Sequence, residues 1–196
     1  MKSNVIVISS EGNNMDAALA EIDKVSRYQE LPMKDAMSLR LLAEEMMSMM
    51  RAITGNVNGE FWVEDRDGVY ELHLVVQSLV DEDMKKQLLS ASTSGKNEAS
   101  RGFMGKIRAF FEPACSVPMF SCGFAGGNPQ VLGDCSWSME DYRDQLRQYR
   151  EMNENDSREA WDELEKSVVG RVADNVKVSI LGRTIEMIIY KKFNED

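Results

Sequence analysis

The chain has 196 residues, and its 33 acidic side chains outnumber its 23 Lys and Arg residues, which gives a formal net charge of −10. Contacts to nucleic-acid phosphates and anionic membrane surfaces need basic side chains, so we expect no nucleic acid among the partners. The length fits a single domain over residues 1–196. No apolar run reaches the ~20 residues of a membrane-spanning helix, and none near the start resembles a signal peptide, so we expect no membrane span and a cytoplasmic location.

The cysteines and the single histidine limit the chemistry further. Cys115, Cys122 and Cys135 are odd in number and form no CxxC pair, which argues against a disulfide framework and a zinc site and favours reduced thiols. His73 is the only histidine, so sites with several histidines are excluded and no metal site is expected. Its position between Leu72 and Leu74 on a strand predicts a surface or interhelical side chain.

The first third of the chain has well-marked elements. A β-branched apolar run predicts a strand at Asn4–Ser9. Apolar residues at helical spacing predict one helix over about Met15–Gln29, capped by Asn13 or Asn14, and a second over about Lys34–Ile53. Six methionines crowd this region, and we expect them mainly in the core. They are Met33, Met37, Met46, Met47, Met49 and Met50.

Hairpin patterns follow the two helices and also end the chain. The runs Glu60–Glu64 and Val69–Gln77 predict two strands joined through Asp65–Gly68, in which Asp67-Gly68 is a turn signal. A helix is expected from Asp156 or Ser157 to about Ala173. The last predicted elements are the strands Val176–Ile180 and Thr184–Phe193, with a turn at Leu181–Arg183.

The segment between these patterns is broken up by glycine and proline. We interpret about 79–156 as a surface insertion with three helical patches, near Glu82–Ala91, Arg101–Phe111 and Met139–Met152. The remaining order is β-α-α-β-β-insertion-α-β-β, with strands arriving as hairpins. This order predicts an α+β fold, a two-layer sandwich with a mixed, mostly antiparallel sheet and helices on one face.

This order resembles the histidine-kinase-like ATPase fold and, within it, the small anti-sigma-factor serine kinases of bacteria. The segment Leu39–Met50 (LRLLAEEMMSMM) resembles the family's nucleotide-site helix, in which a Glu is followed four residues later by an Asn. The closing segment, Leu164–Phe193, resembles the helix and hairpin that complete the family's sheet. The resemblance covers about residues 4–78 and 157–193. It implies ATP with Mg²⁺ as the cofactor, and it places the insertion at the position of the nucleotide lid.

The resemblance also implies roles for individual residues. Glu45 matches the Glu that activates a water molecule, which makes it the candidate catalytic residue. The Asn that binds Mg²⁺ corresponds to Met49, whose thioether has little affinity for Mg²⁺. Ser48, four residues after Glu44, offers an oxygen in its place.

The adenine-reading part of the site departs from the family pattern in the same way. The Asp that accepts the adenine amino group corresponds to Ser78, with Asp81 close by in the sequence. The second glycine-rich box corresponds to Glu165–Gly170 (EKSVVG), which has a single glycine. The candidate nucleotide-binding residues are therefore Ser48, Met49, Ser78 and Asp81.

These departures indicate a degenerate ATP site. The expected function is a cytoplasmic regulatory module, similar to anti-sigma factors, that binds a protein partner through about residues 95–155 without a cofactor or ATP turnover. The alternative is an ATP-dependent protein serine kinase with an atypical site, and a small-molecule binder in the same cleft is a third interpretation. The resemblance also permits a homodimer.

Overall fold

The computed structural model describes residues 1–9, 11–54, 58–77, 135–151, 161–162, 164–181 and 184–193. Its strands form a six-stranded sheet in the spatial order β1-β2-β3-β6-β5-β4. The strands are β1 (Ile6–Ser9), β2 (Asn58–Arg66), β3 (Val69–Gln77), β4 (Cys135–Ser138), β5 (Asn175–Leu181) and β6 (Thr184–Lys192). Every neighbouring pair is antiparallel. The α+β class is confirmed, and the sheet is antiparallel rather than mixed.

Four helices accompany this sheet with both ends in the described part of the chain, and residues 161–162 and 164–166 are also helical. The four helices are α1 (Met15–Tyr28), α2 (Met33–Thr54), α3 (Met139–Glu151) and α4 (Val168–Val172). Helices α1 and α2 lie against each other, and α1 also contacts β1 and β2. Most predicted elements begin and end within about two residues of the observed ones. This holds for α1, α2, α3, β1, β2, β3, β5 and β6.

The strands alternate between a buried face and an open face. On β2, Phe61 and Val63 are buried, whereas Trp62 between them and Glu64 after them are half-buried. Successive side chains of a strand point to opposite faces, so this alternation indicates a sheet that is covered on one side. The buried strand residues and the buried residues of α1 and α2 form one hydrophobic cluster. The open face of β2, β3 and β6 carries Glu60, Trp62, Glu64, Glu71, His73, Val75, Glu186, Ile188 and Tyr190.

A tight turn fixes the register of the β2–β3 hairpin. Asp67 and Gly68 have φ angles of 54° and 79°. Two positive φ angles in succession are typical of the two-residue turns that match the twist of antiparallel strands. The turn aligns Glu64 with Glu71 and Trp62 with His73. This register brings together the polar residues on the open face.

The start of α1 differs from the sequence expectation. Asn14 is the capping residue, but its backbone is left-handed, with φ 62° and ψ 11°, and its side chain makes no capping hydrogen bond. Its Nδ2 instead donates to the carbonyl oxygen of Val7 at 2.9 Å. The asparagine therefore ties the helix start to β1.

The predicted terminal helix and insertion also differ from what is observed. Ser167 interrupts the helical residues before α4, and its Oγ accepts a hydrogen bond from the Gly170 amide at 3.2 Å. Strand β4 lies within the predicted insertion of about 79–156 and pairs with β5 at the sheet edge. Strand β4 is not predicted from the sequence, because its four residues, CSWS, are too few to show an alternating pattern.

Candidate functional site

The residues expected to bind nucleotide have different environments. On α2, Glu45 is half-buried, Ser48 is exposed, and Met49 is only 2% exposed within the hydrophobic cluster. Ser78 and Asp81 lie outside the described residues. A core thioether gives Mg²⁺ no oxygen ligand. The described residues therefore do not assemble the polar constellation that the resemblance implies.

Methionines on α2 divide between the core and the surface. Met46, Met47 and Met49 are buried, as expected for core residues. The core expectation is wrong for Met33 and Met37, which are 79% and 61% exposed. The physical reason is that both lie on the side of α2 turned away from the sheet, where no described residue covers them.

These two methionines belong to an apolar surface patch. Leu41 follows Met37 by four residues and is 38% exposed, and Tyr28 at the end of α1 is 74% exposed. Residues four apart lie one above another on a helix, so Met33, Met37 and Leu41 form a stripe along α2. The stripe of Met33, Met37 and Leu41, with the exposed Tyr28 that precedes α2 by five residues in the chain, is called the α1–α2 patch.

A surface cavity of about 490 Å³ is lined by residues of α1, the α1–α2 loop and α2. Its lining comprises Asp23, Ser26, Arg27, Glu30, Leu31 and Ala36. Two of these lining residues, Arg27 and Ala36, directly precede Tyr28 and Met37 of the patch in the sequence. Arg40 bridges the two helices, with an ion pair of 2.9 Å to Asp23, and it also pairs with Glu44 at 3.3 Å. An apolar stripe is thus combined with a cavity that has a charged lining.

Helix α3 is the described part of the segment expected to bind a partner. Ser138 caps it, since its Oγ accepts from the Asp141 amide at 3.1 Å. Tyr142 and Leu146 are buried, and Arg143 donates to the carbonyl oxygen of Gly170 at 2.5 Å. One face of α3 is therefore anchored to the fold. Its outward face is polar and exposed, at Glu140, Asp144, Arg147 and Gln148.

His73 lies at the centre of a polar cluster on the open face. It is only 5% exposed, so the expectation of a surface or interhelical histidine is wrong. The indole of Trp62 covers its ring, with centroids 4.7 Å apart and planes 4° apart. Its Nε2 lies 3.2 Å from Glu71 Oε2, and its Nδ1 lies 3.6 Å from Glu186 Oε1. One carboxylate therefore faces each ring nitrogen.

Glu64 completes this cluster from β2. Arg66 donates to its Oε2 from Nη2 at 2.7 Å and from Nε at 3.2 Å. Trp62 Nε1 donates to its Oε1 at 2.9 Å, and Lys2 Nζ lies 3.2 Å from the same oxygen. The hydrogen bond from Arg66, and next that from Trp62, lower the pKa of Glu64 from its usual 4.5 to about 2. Ligand atoms of Glu64, Glu71 and His73 all lie within 4.8 Å of one another.

A scan against protein-family models finds no match, and a search of curated proteins finds none either. Among the helices of the described ranges, none is long and apolar enough to cross a membrane.

Proposed function

We propose that the chain is a cytoplasmic regulatory module that binds a partner protein and does not turn over ATP. In this proposal its scaffold is a degenerate histidine-kinase-like ATPase domain, a two-layer sandwich with an insertion over about 79–156 at the lid position. The observation that carries the proposal is the α1–α2 patch, in which Met33 and Met37 are 79% and 61% exposed.

The patch has the composition of a protein-binding surface. Contiguous exposed apolar side chains at helical spacing favour a partner helix laid along α2. Methionine is well suited to this role because its flexible thioether adapts to the shape of the partner. The charged residues Asp23, Arg40 and Glu44 lie close to the stripe and are 40–46% exposed. They supply the polar rim that typically surrounds an apolar interface centre.

The buried position of Met49 argues against ATP turnover. Catalysis of phosphoryl transfer depends on Mg²⁺ bridging the phosphates, and Mg²⁺ is held by oxygen ligands. The residue that corresponds to the family's Mg²⁺ ligand is a thioether with 2% exposure. Retaining the scaffold without this ligand fits a binding protein better than a kinase.

A second contact surface is proposed within about residues 95–155. Its described part is α3, whose outward side chains are mostly charged and whose inner side is anchored by Tyr142 and Leu146. Such a polar helix recognises a partner through complementary charge, which favours fast and specific association. The α1–α2 patch would supply the apolar anchor.

The alternative is an ATP-dependent protein serine kinase of the anti-sigma-factor type. Glu45 favours it, because its side chain is half-buried on α2 and so remains available to a water molecule at the surface. This alternative needs an oxygen from Ser48 to replace the missing Mg²⁺ ligand. A titration with nucleotide separates the two functions.

The partner proposal is tested by affinity capture with matched variants. Immobilised wild-type protein, Met37→Glu and Gln77→Glu would be incubated with lysate of the source cells, and bound proteins quantified by mass spectrometry. Gln77 is an exposed position at the end of β3, so its variant controls for the added charge away from α2. We expect a protein retained by the wild type and Gln77→Glu but lost with Met37→Glu, and the purified pair should form a 1:1 complex.

Two results would contradict the proposal. One is an identical set of retained proteins for all three baits. The other is a homodimer of the purified chain that dissociates in Met37→Glu, because the patch would then bind a second copy rather than a different protein. Light scattering of the wild type and of Met37→Glu measures the molecular mass in solution and so distinguishes a monomer from a dimer.

A further inference from the structure

We propose that Glu64, Glu71 and His73 form a binding site for a divalent metal ion of the Zn²⁺ class on the open face of the sheet. Glu186 acts as the positioning residue for the histidine. The inference is independent of the proposed function, because it uses β2, β3 and β6 rather than α1 and α2.

The spacing of the candidate ligand atoms fits a metal centre. His73 Nε2 and Glu71 Oε2 are 3.2 Å apart, and Glu64 supplies a third atom within 4.8 Å of the others. Zn²⁺ binds nitrogen and oxygen at about 2.0–2.2 Å in tetrahedral geometry, which places neighbouring ligands about 3.3–3.5 Å apart. His73 and Glu71 already have this spacing, so only the carboxylate of Glu64 has to move toward them to complete a set of three metal ligands.

Glu186 would support the tautomer of His73 that metal binding requires once a metal replaces the 3.2 Å contact between Nε2 and Glu71. The Nδ1 atom of this buried histidine has no hydrogen-bond partner within the described residues, and Glu186 Oε1 lies 3.6 Å away. When Nε2 gives its lone pair to a metal, Nδ1 carries the proton and points at this carboxylate. Metal-binding histidines almost always donate the second imidazole N–H to a carboxylate, a backbone carbonyl or a water molecule, which fixes the orientation of the ring.

A cation already lies at the mouth of the cluster. The Arg66 guanidinium contacts Glu64 Oε2 through Nη2 at 2.7 Å, and its Nε lies 3.6 Å from Glu71 Oε2. The Arg66 side chain is 62% exposed, so its ion pairs contribute little and it can move into water. Trp62 meanwhile holds the other oxygen of Glu64 at 2.9 Å. The metal would therefore displace the arginine and draw Glu64 inward, while Trp62 and Lys2 stay beside the other oxygen of Glu64.

The donor set selects the kind of metal. One imidazole nitrogen and two carboxylate oxygens suit Zn²⁺ and its first-row neighbours, whereas Mg²⁺ and Ca²⁺ prefer sites built from oxygen alone. Three protein ligands leave the fourth tetrahedral position open. A water molecule or a side chain of a bound partner would fill that position.

Calorimetric titration of the full chain with Zn²⁺ tests the site. We expect one Zn²⁺ per chain, and no binding of Mg²⁺ under the same conditions. Glu71→Gln should weaken Zn²⁺ binding by at least tenfold, and Glu186→Gln by about 10- to 100-fold. Glu60→Gln is the matched control, because Glu60 is an exposed carboxylate on the open face of β2. Arg66→Ala should tighten binding, because it removes the competing cation.

A second readout places the metal beside His73. Co²⁺ bound to Nε2 should quench the fluorescence of Trp62, whose ring lies 4.7 Å from the imidazole. The quenching should be absent in Trp62→Phe, although the two other tryptophans remain. Circular dichroism verifies that each variant is folded, so that lost binding is not mistaken for unfolding.

Three outcomes would overturn the proposal. The first is no Zn²⁺ binding to the folded wild-type chain. The second is binding that persists in Glu71→Gln and disappears when Cys115, Cys122 and Cys135 are replaced by serine, which would assign the metal to the thiols. The third is weaker binding in Arg66→Ala, because the arginine would then support the site rather than compete for it.

Discussion

The indole of Trp62 lies flat on the imidazole of His73, with 4.7 Å between ring centroids and 4° between planes. The two residues are cross-strand partners on β2 and β3. The same indole donates its N–H to Glu64 at 2.9 Å. One aromatic side chain therefore orders both a buried histidine and a carboxylate on the open face.

The Trp62–His73 stack should contribute to folding. Trp62→Ala removes the stack and the hydrogen bond to Glu64, and we expect it to lower the free energy of unfolding by about 1–2 kcal/mol. Trp62→Phe keeps an aromatic ring over His73, so its loss of unfolding free energy should be less than half of that in Trp62→Ala. Urea denaturation at pH 7 measures these differences. Equal losses in the two variants would show that stacking contributes nothing.

Glu64 should make stability depend on acid pH. Its pKa is about 2 in the folded chain against its usual 4.5, because Arg66 and Trp62 donate hydrogen bonds to the carboxylate. Stability from this group is fully present above about pH 4.5 and is lost as the pH falls towards 2. We expect Glu64→Gln to cost about 1 kcal/mol at pH 7 and to flatten the loss below pH 4.5.

The acid dependence is checked by urea denaturation at several pH values between 3 and 7. The control is Glu60→Gln, which removes an exposed carboxylate from the same strand. A wild-type-like pH profile for Glu64→Gln, or an equal flattening for Glu60→Gln, would contradict the role assigned to Glu64.

Restoring an asparagine at position 49 should damage the fold. Met49 is 2% exposed in the core, so Met49→Asn removes apolar volume and buries an amide. The expected loss is about 2–4 kcal/mol, whereas Ser48→Asn at the exposed neighbouring position should change stability by about 0.5 kcal/mol or less. Thermal denaturation of both variants measures this contrast. A stable Met49→Asn that gains Mg²⁺-dependent ATP binding would show that position 49 faces a nucleotide site.

Gly170 has a structural role in this fold. A Cβ at this position would collide with the carbonyl oxygen of Leu164 and lie 3.0 Å from its Cδ1. We expect Gly170→Ala to destabilise the chain by about 1–3 kcal/mol, because backbone atoms cannot move aside easily. Arg171→Ala, next to it and exposed, is the control for denaturation experiments. A Gly170→Ala variant as stable as the control would contradict this close approach.

Local sequence patterns predicted most of the described elements. The Asp67-Gly68 turn signal was enough to predict the β2–β3 hairpin, and counting back from it pairs Glu64 with Glu71 and Trp62 with His73. That pairing was the available signal for the polar cluster. His73 considered without its cross-strand neighbours shows no sign of this cluster.

Other features depend on contacts between distant segments. Glu186 comes from β6, so its approach to His73 follows from the order of strands in the sheet and not from any local pattern. Met33 and Met37 are as apolar as Met46 and Met49, and only the packing of α2 determines which of them face the core. The edge strand β4 was too short to carry a pattern of its own.

Calorimetric titration of the full chain with ATP and ADP, with and without Mg²⁺, tests the central claim most directly. A regulatory module with a degenerate site should show no nucleotide binding at micromolar concentrations, because each lost charged contact weakens affinity about tenfold or more. Micromolar binding that requires Mg²⁺ and is weakened by Glu45→Gln would contradict the claim and establish an ATP site on α2.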